Sequence, residues 1–124
     1  MSTSTVNHLA VVSIRTNRIS ETVDFYQNII GLSRVAKHGH QPAFELGNGL
    51  FLVIIESHEE SAPMPKQPRY PQLAFAVADL DQSIMQLKEH KVDMPWGVES
   101  NHQNRWVEFY DPGGNLIELA QFAK

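Results

Sequence analysis

Cysteine is absent from this chain. That excludes disulfides, thiolate nucleophiles, iron–sulfur clusters and cysteine-based zinc sites, so any metal site must draw on His, carboxylate or amide oxygen. No apolar run approaches the roughly 20 residues that span a bilayer. Met1 to Val6 offers no basic region ahead of an apolar stretch, as a secretory signal would. Charge is thin as well. Ten basic and fourteen acidic residues give a net −4 without a basic run, which speaks against phosphate-backbone binding. What remains is 124 residues, 42% hydrophobic and 9% aromatic, enough for one domain that buries roughly two-thirds of its unfolded surface. The expectation is a soluble, cytoplasmic, single-domain protein.

Four of the seven prolines fall between Ser61 and Pro71, a stretch that suits neither a helix nor a central strand and reads as a stiff connector. It separates a first module, about 5–60, from a second, about 70–122, and the two resemble each other. Val6 to Val12 and Tyr70 to Val77 are short apolar runs, and aligning His8 on Gln72 gives an offset of 64. A helical stripe follows each: Ile19, Val23, Tyr26 and Ile30 ahead of Gly31, then Leu80, Ile84, Leu87 and Lys91 behind a capping pair, Asp79 and Gln82. That second offset is 61 (19 to 80), which implies a first strand–helix loop three residues longer. Strands are then expected at 43–46 and 50–56 around Gly47-Asn48-Gly49, and at 105–110 and 116–121 around Asp111 to Asn115. One more strand each belongs in 33–41 and 92–104. The fold class is α+β: two βαβββ modules pairing into an open, cup-shaped mixed sheet with helices on the outer face, a pairing that removes an exposed edge.

Alternation along the strands assigns the residues facing the cup. In the first strand His8, Ala10 and Val12 share a face; in the fifth, Gln72, Ala74 and Ala76; in the last, Leu116, Glu118 and Ala120. Polar residues beside small ones imply a cavity on that side. On the penultimate strand Trp106, Glu108 and Tyr110 face the cup, with Val107 and Phe109 turned to the core. An imidazole, an amide oxygen and a carboxylate from His8, Gln72 and Glu118 describe a divalent-metal site with open positions.

These residues resemble the vicinal-oxygen-chelate superfamily, which includes glyoxalase I, bleomycin-resistance proteins, fosfomycin-modifying enzymes and extradiol dioxygenases. The likeness runs through Asn7-His8-Leu9-Ala10-Val11-Val12, Phe25-Tyr26 to Ile30-Gly31-Leu32, and Asp111-Pro112-Gly113-Gly114-Asn115-Leu116-Ile117-Glu118. It implies metal ligands at His8, Gln72 and Glu118 and a divalent ion such as Mn, Ni, Zn or Fe. It also implies a homodimer. The fourth glyoxalase ligand is expected near Leu52, which cannot ligate, so a three-ligand variant is implied.

A metal with open positions would hold adjacent oxygens of a small-molecule substrate and stabilise the charge that develops on them. The leading expectation is therefore a metal-dependent enzyme of the glyoxalase or lyase type. Glu118 and Glu108 are the candidate proton-transfer residues, and Phe44, Glu56 and Trp106 the candidate substrate contacts. The alternatives are a metal-free drug-binding protein of the bleomycin-resistance type and an extradiol-type dioxygenase.

Overall fold

The computed structural model describes residues 6, 8–38, 40–58 and 71–123. The connector expected at 61–71 therefore lies, except for Pro71, outside the described residues. In module 1, strand β1 (Val11–Thr16) leads into helix α1 (Ile19–Asp24), which widens into a π-helical turn over Phe25–Ile30; β2 (Ser33–His38), β3 (Gln41–Gly47) and β4 (Leu50–Glu56) follow. Module 2 repeats the order with β5 (Leu73–Ala76), α2 (Leu80–Glu89), β6 (Val98–Ser100), β7 (Arg105–Tyr110) and β8 (Leu116–Gln121). Each module is a four-stranded mixed sheet, ordered β1-β4-β3-β2 and β5-β8-β7-β6, and among the described residues no hydrogen-bonded ladder joins the two. This is the expected α+β class; the two sheets stay separate, and among the described residues β1 and β5 each pair on one side only.

Local chemistry sets the helix ends. The Asp79 carboxylate accepts from the Gln82 N–H at 3.1 Å and caps α2. Gly31 takes φ +88, and its N–H and that of Leu32 both reach the Tyr26 carbonyl at 3.1 and 2.9 Å, which closes the π turn.

The helix-side faces of the two sheets meet in one core. Ile14, Phe44, Leu52 and Ile54 from module 1 join Val107, Phe109, Ile117 and Leu119 from module 2, with Phe25 tilted against Phe109 at a 6.0 Å ring separation. A polar knot ties the modules across this junction. The Tyr26 hydroxyl donates to Asp111 Oδ2 at 2.7 Å, and Asp111 Oδ1 accepts from the Gly113 and Asn115 N–H groups at 3.0 and 2.8 Å. The Asn115 amide reaches the Arg15 carbonyl at 3.0 Å. Gly113 has no room for a side chain: a Cβ there would meet Thr16 Oγ1 at 2.5 Å.

Two expectations are corrected. The first strand begins at Val11, not Val6, and only two residues, Asn17 and Arg18, separate it from α1, so the longer first loop does not exist. Val12 and Ile14 face the core as Leu73 and Phe75 do, which is an offset of 61 and matches the helix starts. His8 and Ala10 thus stand outside β1, and Val12 faces the core rather than the cup. Phe44 is the second correction. It is fully buried on the helix side, where an aromatic ring gains most from leaving water, and it cannot wall a substrate on the other face.

Candidate functional site

The register of module 2 places the polar residues together on the face turned away from α2. Glu108 lies directly opposite Glu118, Trp106 opposite both Ala120 and Glu99, and Tyr110 opposite Leu116. Glu118 pairs with Ala74 on β5, and Gln72, two residues earlier, shares that side. The Gln72 amide donates to Glu108 Oε2 at 2.7 Å, so Gln72, Glu108 and Glu118 form one group. Trp106 sits in the same row, and the Trp96 and Tyr110 rings stand 6.2 Å apart.

Electrostatically this face is acidic. Burial first, then the charges of Glu108 and Glu99, raise the Glu118 pKa above the ordinary carboxylate value. Glu99 Oε1 is buried without a hydrogen-bond partner among the described residues. Arg105, the one basic residue in these four strands, points to the opposite face and pairs with Asp81 at 2.8 Å.

Glu99 and Trp96 were missed by the sequence reading. They lie in and just before the three-residue strand β6, too short for alternation to register in a weakly patterned segment.

Among the described residues, module 1 supplies nothing comparable. Since Val12 pairs with Leu52 as Leu73 pairs with Ile117, Val53 is the counterpart of Glu118. By the same registers Val11 answers to Gln72, and Ala43, opposite Val53, answers to Glu108. Ala43 and Val53 are buried. Leu52, where the fourth ligand was expected, points into the core and is itself fully buried. Glu56, exposed at the end of β4, pairs with Thr16 and shares the helix-side parity of Leu52 and Ile54. His8 is exposed, with its Nε2 near the Asn48-Gly49 turn, 3.3 Å from where a Gly49 Cβ would lie. Among the described residues no three His, Asp or Glu side chains gather as a metal-holding group. The residues present therefore do not fit the ligand set implied by the sequence: two carboxylates and an amide meet, but the imidazole is not on their strand frame.

A cleft of about 660 Å³ is lined by Gln72, Phe75 and Leu87 of module 2 and by Leu9, Leu46 and Leu50 of module 1. No helix among the described residues is long and apolar enough to cross a membrane.

Comparison with known proteins agrees with this architecture. A glyoxalase/dioxygenase from Nostoc punctiforme aligns over 100% of this chain and 97% of its own, with 21% identity and a TM-score of 0.81. TnmS3, an antibiotic binding protein from a Streptomyces species, aligns over 97% and 99%, with 22% identity and a TM-score of 0.75. FosX, a fosfomycin resistance protein from Listeria monocytogenes, aligns over 92% and 90%, with 22% identity and a TM-score of 0.72. At such identities the likeness speaks for the fold. No curated protein sequence matches significantly. A model of the Glyoxalase/Bleomycin resistance protein/Dioxygenase superfamily, however, matches residues 5–119. With the paired βαβββ modules and that match over nearly its whole length, the chain belongs to the glyoxalase/bleomycin resistance protein/dioxygenase superfamily.

Proposed function

We propose that the protein is a small-molecule-binding member of this superfamily, working in the cytoplasm as a homodimer, and that its ligand is an organic cation with a flat apolar part. The observation that carries this reading is the face of module 2. Glu108 and Glu118 lie side by side there with Trp106 and Tyr110, and no basic residue of strands β5 to β8 points to that face. A positively charged group would find carboxylate acceptors and aromatic faces together, and a donor on it would satisfy the orphaned Glu99 oxygen. The free outer edges of β1 and β5 support the dimer: joining β1 of one copy to β5 of another would extend each sheet and remove both edges.

Quenching of Trp96 and Trp106 fluorescence by ethidium, with the anionic dye ANS as control, tests the proposal. Ethidium should bind and ANS should not. Glu108→Gln and Glu118→Gln should each weaken ethidium about tenfold, the worth of one charge-assisted contact. Equal binding of both dyes would defeat the reading.

A further inference from the structure

We infer that this chain holds no metal of its own on the cup face, and that its ligand meets Glu108 and Glu118 directly rather than through a bridging cation. The inference rests on the reading of that face as the ligand site, but its donor argument stands separately. A catalytic divalent site commonly takes three protein ligands, with imidazole prominent among them for Zn, Ni and Fe. The two modules repeat one frame, so each polar position of module 2 has a counterpart in module 1. Those counterparts are Val11 for Gln72, Val53 for Glu118 and Ala43 for Glu108, and none carries a donor atom in its side chain. In a second copy the same two valines and alanine add no donor, and whether His8 of the partner subunit adds one is read by the His8→Ala variant below.

His8 does not fill the gap. It precedes Val11 by three residues, about 10 Å at strand rise, lies outside β1 and is exposed with its ring by the Asn48-Gly49 turn. Gln72 is already engaged, since its amide nitrogen donates to Glu108 at 2.7 Å. That bond fixes the Glu108 carboxylate toward Gln72, as a positioning contact would, and leaves two carboxylates and one amide oxygen.

The test uses the full-length protein, purified without chelator, with Mn²⁺, Ni²⁺, Zn²⁺ and Fe²⁺ alone as probes. Metal content is read by elemental analysis and affinity by calorimetry, for the parent, His8→Ala and Glu118→Gln, with circular dichroism to confirm that each variant folds. The expected result is no stoichiometric ion in the parent, or a bound ion that neither substitution affects. Stoichiometric binding weakened at least about tenfold by either substitution would overturn the inference. Because no organic ligand enters this experiment, its outcome is independent of the ethidium titration, and either result can fail while the other stands.

Discussion

The two modules agree on one face of their sheets and part company on the other. On the helix side the match is close: Phe44 and Phe109 occupy the same place in the frame, opposite Leu52 and Ile117, and all four are buried to within 1%. On the far side, module 1 presents Val11, Ala43 and Val53 where module 2 presents Gln72, Glu108 and Glu118. The helix face has one task in both halves, to exclude water, and dense packing leaves little freedom for change there. The far face is less uniform, with Ala43 and Val53 buried but Val11, Glu108 and Glu118 only partly so, and chemistry can concentrate there in one module while the other presents apolar side chains. A duplicated fold need not carry a duplicated site.

The sharpest way to break the first half of this comparison is to truncate the matched rings. Phe44→Ala and Phe109→Ala should each cost about 3–5 kcal/mol in urea unfolding and should agree with each other within the scatter of such measurements. A large inequality would mean that the two helix faces are not equivalent supports.

The junction between the modules comes next in size. Tyr26→Phe leaves Asp111 without the only hydroxyl donor described for it, and a buried carboxylate short of a partner costs about 1–3 kcal/mol. Asp111 also makes stability depend on pH. Burial pushes its pKa up, and this outweighs the hydrogen bonds from Tyr26, Asn115 and Gly113 that pull it down. The folded protein therefore takes up this proton at a higher pH than the unfolded chain does. Stability from this group is greatest below its ordinary pKa of about 3.9 and is lost as pH rises through the raised value. Asp111→Asn should flatten that portion of the stability curve, measured as the difference between variant and parent from pH 4 to 7. A difference that grows in the opposite direction would show that the hydrogen bonds prevail over burial.

Much of the comparison can be read in the residues before any coordinates. The capping Asp79, Gly31 after the helix, and the strands 105–110 and 116–121 all stand where periodicity and turn chemistry put them. The alternation Trp106, Glu108, Tyr110 against Val107, Phe109 was legible because a strand with one buried face writes its two sides into the chain. The first strand misled for a physical reason. His8 to Val12 is an apolar run preceded by a polar residue, as at Gln72, and it masks the true alternation of Val12 and Ile14 against Ser13 and Arg15. A three-residue error there reverses the parity of every residue in the strand, and with it the assignment of His8. A separate slip of one residue moved the counterpart of Glu118 from Val53 to Leu52. Phe44 was misplaced because an aromatic residue on a strand suits a core and a ligand wall equally until its partner across the ladder is known.

The smallest effect tests the second half of the comparison. Glu118→Val would give module 2 the side chain that module 1 already has at Val53. In the parent, Glu118 faces Glu108 directly across the β7–β8 ladder, and like charges in that relation oppose pairing. Glu118 is also half-buried, and burial already disfavours its charged form. Removing the carboxylate should therefore leave the fold as stable as before or raise its stability by up to about 1 kcal/mol, a shift of about 2–4 °C in melting temperature. Ethidium binding should fall in the same variant. Stability and binding moving in opposite directions is what a residue kept for a ligand produces; a variant that loses both would place Glu118 among the supports of the fold, alongside Phe109, and the two faces of module 2 would no longer differ in kind.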